Sequence, residues 1–288
     1  MRWFLFISMT CFSVAVFAQH QVSGKIFRRD TNEALSYAVI GIAGKATGTI
    51  SRQDGGYRLT LGEAVLPSDT VAFSYVGFRT EYFTVEELTG AEKDVYLEQE
   101  PVDIPTVVVT NRKSRERKIG RSTTGTGFTH WNFFMSDYKQ PENLIGCELA
   151  MRTDFKNDSR INSLCFNISA NTFEWIRLRI NIYEVEEDTP TDLFLQEDIQ
   201  VDLNDKFKGW KDVDLAAYGL YVPAGKSLAV SFMVVDCQPT EDLERQWITL
   251  PASMITGHTT YTRKQPMDEW EKMNAAVSFY LNTTVYPD

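Results

Sequence analysis

The most suggestive polar cluster in the sequence lies near its C-terminus, where His258 stands in the run GHTTY and Tyr261, Arg263 and Trp270 are close in the sequence. These four side chains together offer hydrogen bonds and aromatic faces to a ligand. We therefore predict that they contact a ligand. The alternative is that His258 is a hydrogen-bonded structural histidine.

A second pair, His130-Trp131, offers similar side chains, and we predict it as a further ligand-binding candidate. The same two residues could equally belong to the first strand of the C-terminal domain. Trp210 follows Gly209 and precedes an alternating apolar and polar stretch. This pattern indicates a strand bend, and we predict that its indole is buried in the core.

Motifs for catalysis are missing from the sequence. It holds no Gly-x-Ser-x-Gly elbow, P-loop, dinucleotide fingerprint, His-Glu-x-x-His or EF-hand loop. Asp202, Asp212 and Asp214 alternate with apolar residues and could share one sheet surface, so a hydrolase with a carboxylate site stays open as an alternative. A structural calcium ion at the loop carboxylates Asp188 or Asp192 also stays open. No other cofactor is expected.

Composition limits the possible functions. The chain has 288 residues, of which 43% are hydrophobic and 24% charged, and its formal net charge is −10. The apolar share is enough for a packed core. An acidic chain lacks the Lys/Arg surplus that neutralises phosphates, so we expect no nucleic-acid partner.

The N-terminus predicts export. Residues 1–18 begin with a single early arginine, continue with an apolar run and end in Val16-Phe17-Ala18, a pattern typical of a cleavable signal peptide. No later apolar run approaches the length of a membrane span. We therefore expect a protein of the periplasm or of the cell surface, associated with the outer membrane. The remaining cysteines, Cys147, Cys165 and Cys237, are predicted to be small buried side chains whose disulfide pairing the sequence leaves open.

Residues 19–110 alternate in short runs with turn residues every 8–12 positions, which predicts a β-sandwich. Gln53-Asp54-Gly55-Gly56 predicts a hairpin, because Asp-Gly accepts the positive φ of a tight turn. Phe78–Val85 is predicted as one of the strands.

This region resembles the carboxypeptidase-regulatory-like domain, a transthyretin-like sandwich common in exported proteins of the Bacteroidetes. The resemblance rests on Gly24 in the first strand, the Asp54-Gly55 turn before an aromatic residue, the run SYVGF and the closing run VVVT. It implies an accessory domain without catalytic activity. A zinc carboxypeptidase needs a His-x-x-Glu pair and a distant histidine. Here the residues three positions after the histidines are Ser23, Phe133 and Tyr261.

Residues 111–121 read NRKSRERKIGR, with six basic residues in eleven and no periodic apolar face. The pattern predicts a solvated linker between two domains. The alternative is an electrostatic contact with an anionic envelope polymer or membrane surface.

Residues 122–288 are again predicted to be mostly β. Phe173–Tyr183 alternates cleanly, with Ile176, Leu178, Ile180 and Ile182 on one face. We predict a second, jelly-roll-like β-sandwich, so that the fold class is all-β with two sandwiches. This half resembles an uncharacterised C-terminal domain that accompanies the regulatory-like domain, and that resemblance implies no activity.

Together these observations predict an exported, noncatalytic envelope protein that binds carbohydrate or a protein partner. One alternative is a structural subunit of an envelope assembly, whose sheet edges dock another chain. The other is the hydrolase with an unidentified carboxylate site.

Overall fold

Alternation of apolar and polar residues builds β-strands along most of the chain. The computed structural model describes residues 21–100, 113–125, 129–137, 144–241, 245–254 and 257–287. The predicted signal peptide and the predicted closing run VVVT lie outside these residues. Within them, no helix is long and apolar enough to cross a membrane.

The N-terminal sandwich consists of two sheets with strand orders β4-β1-β7 and β3-β2-β5-β6. Among the strands of residues 21–100, only β1 and β7 pair in parallel. One apolar core lies between the two sheets and includes Ile26, Ile40, Leu59 and Phe73. The strands are β1 (Gln21–Arg28), β2 (Val39–Gly41), β3 (Gly48–Ile50), β4 (Gly56–Thr60), β5 (Thr70–Ser74), β6 (Glu81–Thr84) and β7 (Val95–Leu97).

Two local predictions in this sandwich need correction. The turn at Asp54-Gly55 forms, with Gly55 at φ +76°, but β3 and β4 pair with different partners in different sheets, so the turn crosses between sheets and is not a hairpin. The predicted strand Phe78–Val85 is shorter at both ends. It begins at Glu81, and it ends at Thr84 because Thr84 and Glu87 form a capping box that starts the single-turn helix α1 (Val85–Leu88).

The C-terminal region contains a seven-stranded sheet, with the order β14-β13-β18-β10-β20-β21 and β15 beside β13. It packs against a five-stranded sheet, β16-β11-β23-β8 with β17 beside β11, and a four-stranded sheet of β9, β12, β19 and β22. The strands are β8 (Arg115–Gly120), β9 (Thr129–Asp137), β10 (Glu148–Asp154), β11 (Asp158–Ile168), β12 (Ala170–Asn171), β13 (Trp175–Glu186), β14 (Thr189–Leu193), β15 (Ile199–Asn204), β16 (Gly209–Asp214), β17 (Tyr221–Val222), β18 (Ser227–Gln238), β19 (Arg245–Ser253), β20 (Thr259–Arg263), β21 (Glu271–Asn274), β22 (Ala276–Val277) and β23 (Phe279–Tyr286).

The core of this second sandwich follows the predicted alternation. Ile176, Leu178, Ile180 and Ile182 of β13 face the core and are fully buried. The opposing sheets contribute Phe166, Leu250 and Phe279, among others. The predicted all-β fold, an N-terminal sandwich followed by a second β-sandwich, is confirmed.

Residues 115–120 differ from the prediction of a linker. They form strand β8, which pairs antiparallel with β23 from Arg115↔Val285 to Gly120↔Tyr280. Five of its six residues are exposed or nearly so, while Ile119 packs against the core. A strand at a sheet edge needs no apolar face, and for this reason the polar pattern did not reveal it.

The N-terminal sandwich docks on the outer face of the seven-stranded sheet. Tyr37 and Ile50 pack against Met233 and Val235 of β18 in a small apolar cluster. At the edge of this contact, Gly48 donates its N–H to Gln265 Oε1 at 2.9 Å. A Cβ on Gly48 would lie 2.5 Å from the carbonyl oxygen of Pro266, so the close approach requires glycine.

A buried arginine crosses this interface. Arg179 is 2% exposed and donates from Nη1 to the carbonyl of Tyr37 (2.8 Å) and from Nε to Asp198 Oδ1 (2.6 Å). Its guanidinium lies 5.5 Å from the ring centroid of Tyr75. The Tyr75 hydroxyl in turn donates to Asp198 Oδ2 at 2.8 Å. The ion pair is therefore enclosed by groups from both sandwiches.

Removal of this arginine is expected to be costly. Arg179→Ala leaves Asp198 without its cation and the Tyr37 carbonyl without its donor, so we expect a loss of about 3–5 kcal/mol in the free energy of unfolding. The measurement is urea unfolding. Arg79→Ala is the control: it removes a pair with Glu98 whose side chains are 59% and 53% exposed, and it should cost at most about 1 kcal/mol. Equal losses in the two variants would contradict the structural role.

The same interface predicts sensitivity to alkali. Burial, and then the hydrogen bond that Tyr37 donates to Asp236, raise the pKa of Tyr37 from 10.0 to about 12. The folded state therefore holds this proton more tightly than the unfolded chain. Its contribution to stability is complete below pH 10 and is lost as the pH rises toward 12.

Unfolding measured across this interval should show a shallower loss of stability in Tyr37→Phe than in the native protein. Tyr82→Phe alters a tyrosine that is 64% exposed and should leave the pH dependence unchanged. Identical pH profiles for the native protein and Tyr37→Phe would refute the assignment.

Candidate functional site

The outer face of the seven-stranded sheet carries polar side chains in rows. Since successive side chains of a strand alternate, the strand that buries Ile180 and Ile182 inward presents Asn181 and Tyr183 outward. Glu148 of β10 stands opposite Arg263 of β20 in register. On this outer face, next to the area that the N-terminal sandwich covers, five polar side chains form one hydrogen-bonded cluster. We name it the Glu148 cluster (Glu148, Asn181, Tyr183, Ser231 and Arg263).

Glu148 is the acceptor at the centre of this cluster and its side chain is fully buried. Oε1 accepts from Asn181 Nδ2 (2.8 Å), from the Tyr183 hydroxyl (3.0 Å) and from the Ser231 hydroxyl. Oε2 accepts from Nε (2.9 Å) and Nη2 (2.5 Å) of Arg263. A carboxylate with this many donors is fixed in place and is poorly suited to accept a proton from a substrate.

Two side chains of the cluster, Tyr183 and Arg263, each hold one charge state at ordinary pH. Burial, reinforced by the Glu148 charge, raises the pKa of Tyr183. Burial disfavours the Arg263 cation, but the adjacent Glu148 carboxylate outweighs it, so the pKa of Arg263 is raised. Tyr183 therefore stays neutral and Arg263 stays charged.

The structure brings three of the predicted ligand-binding residues together around this cluster. The Arg263 guanidinium lies 4.3 Å from the Trp270 ring centroid, and the Tyr261 ring centroid lies 6.3 Å from that of Trp270. Tyr261 is only 1% exposed, so these side chains mostly contact one another. His258 precedes β20 and is half-buried. A ligand for these residues stays a prediction.

The other predicted pair lies in a different sheet. His130 and Trp131 belong to β9, and their backbones pair with Pro251 and Leu250 of β19. Their side chains lie outside the described part of the structure. The structure therefore does not bring this pair into the sheet that holds Tyr261 and Arg263.

Of the three predicted carboxylates, Asp202 lies in a different sheet from Asp212 and Asp214, which share the outer face of one strand. Asp202 belongs to β15 and accepts two hydrogen bonds from Arg177, at 2.6 and 2.8 Å. Asp212 belongs to β16 in the five-stranded sheet, where it accepts from the Ser163 hydroxyl at 3.0 Å. Asp214, in the same strand, caps the backbone N–H of Ala216. Each carboxylate has a local structural partner, and the predicted surface holds Asp212 and Asp214 but not Asp202.

The loop carboxylate Asp188 is also engaged. It pairs with Arg152 at 2.7 Å and with Lys272. Two cations thus lie within ion-pair distance of this side chain, and a calcium ion at Asp188 or Asp192 stays a prediction. Within the described ranges, no group of three or more His, Cys, Asp or Glu side chains is arranged to hold a metal ion.

Two of the three cysteines are buried, as predicted, and Cys237 is half-buried. The Cys147 thiol lies 3.0 Å from the Lys264 carbonyl, and burial raises its pKa to about 12. The Cys165 thiol lies 2.5 Å from Asp212 Oδ1. Burial and the Asp212 hydrogen bond raise the pKa of Cys165. Both thiols are thus kept in the protonated, weakly nucleophilic form.

Trp210 is not in the core. Its side chain lies on the outer face of β16 and is 40% exposed, which corrects the prediction that its indole is buried. The alternation of β16 places Trp210, Asp212 and Asp214 outward. The Trp210 ring contacts that of Tyr280 with a centroid distance of 5.3 Å and an interplanar angle of 58°, and Lys118 lies 4.4 Å from the Tyr280 centroid. The two rings are tilted and do not form a flat platform.

A pocket of about 530 Å³ opens at one end of the second sandwich, and we name it the 184–226 pocket. Two turn-rich segments form its walls, one around Phe194 and one from Tyr218 to Lys226. Apolar and aromatic side chains dominate the lining, which includes Leu193, Phe194, Leu195, Tyr218, Leu220, Tyr221 and Pro223. The polar side chains among its lining residues are Glu184, Gln196, Glu197 and Lys226.

Three polar side chains of the pocket, Lys226, Glu184 and Gln196, are held in place by local contacts. Lys226 Nζ lies 2.6 Å from Glu184 Oε1 and 5.4 Å from the Phe194 ring centroid. Gln196 donates from Nε2 to the Leu193 carbonyl at 2.7 Å. Sequence reasoning missed this pocket because its walls are separated along the chain. The one available signal was the unusual number of aromatic and apolar residues in two turn-rich segments.

Residues 22–109 match the family model described as CarboxypepD_reg-like domain, and this part of the chain is a domain of that kind. Such domains are non-catalytic. None of the curated proteins matches the chain.

Among solved structures, the chain is similar to the cysteine protease and lectin-like domains of Cwp84, a surface layer associated protein of Clostridium difficile. The identity is 13% and the TM-score 0.38, over 92% of this chain and 63% of that one. It is also similar to a chain of the T13 particle of IBDV, at 10% identity and a TM-score of 0.30, over 93% of this chain and 62% of that one. The chain thus spans less than two thirds of the length of these two relatives, and neither similarity identifies a function.

A double variant tests whether the Glu148 cluster is structural. Glu148→Met leaves Arg263 as a buried, unpaired cation, so we expect a loss of about 3–5 kcal/mol in the free energy of unfolding. Arg263→Met added to it removes that cation, and the double variant should be more stable than Glu148→Met alone. Urea unfolding measures both. Additive losses would show that the two side chains do not act as a pair.

Proposed function

We propose that the protein is an exported, noncatalytic β-sandwich protein of the cell envelope, which binds carbohydrate in the 184–226 pocket. The observation that carries this proposal is the pocket itself. Its volume of about 530 Å³ lies within the usual range for small-molecule sites.

The lining of the pocket offers partners both for the C–H faces and for the hydroxyl groups of a sugar. Rings such as Phe194, Tyr218 and Tyr221 can pack against the C–H faces of a pyranose, because aromatic side chains offer an apolar face. The carboxylate of Glu184 and the ammonium of Lys226 are acceptor and donor for hydroxyl groups at the same wall. Charge-assisted hydrogen bonds of this kind fix the orientation of a ligand.

Several observations favour binding without catalysis. The matched N-terminal domain belongs to a non-catalytic class. Glu148 is saturated with donors and Asp202 is paired with Arg177. Export, a location in the periplasm or at the outer membrane, and an origin in the Bacteroidetes rest on the N-terminal sequence pattern and on the resemblance alone.

The proposal predicts a sugar ligand that depends on the pocket. A glycan array should identify ligands, and calorimetry with the best of them should show that Phe194→Ala weakens binding by roughly tenfold, equivalent to about 1.4 kcal/mol of lost contact. Glu184→Gln keeps the shape of the side chain but removes its charge, and it should weaken binding by a similar factor.

Two matched controls separate the pocket from the rest of the surface. Trp210→Ala and Tyr82→Ala each remove an exposed aromatic ring outside the pocket and should bind as the native protein does. Loss of binding in Trp210→Ala alone would move the site to the outer face of β16. The carbohydrate proposal would be contradicted if the array gave no signal and a pull-down from envelope extract gave one stoichiometric protein partner. The ligand would then be a protein.

A further inference from the structure

A second concave site lies beside the edge strand β8, and basic side chains line it where apolar side chains line the 184–226 pocket. The cleft has a volume of about 220 Å³, and its lining includes Arg117, Lys156, Asn157, Ser159 and Val285. One wall is β8 and the other is the turn between β10 and β11. None of these residues lines the 184–226 pocket.

The backbone of this cleft is well anchored. β8 is bonded to β23 over its whole length, and Thr283 donates its hydroxyl to the Arg117 carbonyl at 2.9 Å. Ile119 packs against the core of the second sandwich. The backbone of Arg117 is therefore held in a paired strand and does not belong to a solvated linker.

The charges of the cleft are unbalanced. Arg117 and Lys156 form no ion pair with any residue in the described part of the chain. The carboxylate of Asp154 also lines the cleft, but it already accepts from Arg152 (2.7 Å) and from the Ser227 hydroxyl (2.6 Å). Lys118 is a lining residue whose ammonium lies over the Tyr280 ring. Two cations without an ion pair in the described part of the chain thus line one cleft of a protein whose net charge is −10.

We propose that this cleft binds a phosphate group. The planar fork of an arginine together with a lysine ammonium matches the oxygens of a phosphate monoester. Such a group carries about two negative charges at neutral pH, which the two cations neutralise. The proposal is independent of the sugar pocket, since it involves other residues and another ligand chemistry.

The full-length protein tests the proposal with three probes at low ionic strength. Inorganic phosphate and glucose 1-phosphate are titrated by calorimetry, and phosphatidylcholine vesicles with and without phosphatidic acid are used in cosedimentation. Binding of the soluble phosphates identifies a free phosphate or phosphosugar as the source. Binding of the phosphatidic acid vesicles alone identifies a lipid headgroup. No binding of any probe would overturn the proposal.

The variant Arg117→Gln/Lys156→Gln should lose about tenfold or more in affinity, the loss expected when charge-assisted hydrogen bonds are removed. Arg58→Gln/Lys208→Gln removes the same charge from exposed sites elsewhere and should bind as the native protein does. Equal losses in the two double variants would reveal a general charge effect and would overturn the site. If Arg117→Gln/Lys156→Gln unfolds at a lower temperature than the native protein, the single variant Lys156→Gln is used for the titrations instead. Sugar binding in the 184–226 pocket should persist in each variant.

Discussion

The arrangement of the two sandwiches depends on one buried ion pair. Arg179 belongs to a strand of the second sandwich, yet its guanidinium bonds the backbone of Tyr37 in the first and the carboxylate of Asp198 in the second. A charge removed from water needs partners, and here they come from both sides of the contact, although the buried Nη2 of Arg179 has no hydrogen-bond partner in the described residues. Displacement of the N-terminal sandwich would leave Arg179 without its carbonyl acceptor. The ion pair thus makes the relative position of the two sandwiches specific.

Because the N-terminal sandwich is held in this position, the outer face of the seven-stranded sheet mostly contacts other parts of the same chain. Part of the face is covered by Tyr37 and Ile50, and the next rows hold the Glu148 cluster and the rings of Tyr183 and Trp270. Most of the polar groups on this face satisfy one another. Two cavities that a ligand could enter lie elsewhere, in the 184–226 pocket and beside β8.

Sequence periodicity predicted the strands whose two faces differ, such as β13 with its four buried isoleucine and leucine side chains. It could not predict which outward side chains would be covered, because Arg179 and Tyr37 lie 142 positions apart. The grouping of Tyr261, Arg263 and Trp270 was predicted from their proximity in the sequence. Their acceptor Glu148, 115 residues before Arg263, carried no local signal. Trp210 was misplaced because alternation alone does not show that the outer side of an edge strand is open.

The basic residues of the edge strand β8 keep the edge of the sheet from pairing with another chain, and they also supply positive charge for an anion. Within the described chain it pairs with β23 on one side and with no strand on the other, so its free N–H and C=O groups could template the pairing of another chain. Charged side chains on such an edge suppress that pairing, and Arg115, Arg117 and Lys118 supply them. A subunit that assembles through this edge would have to bury those charges. The basic residues are therefore better explained by an exposed edge that meets an anion than by a sheet that extends into a partner.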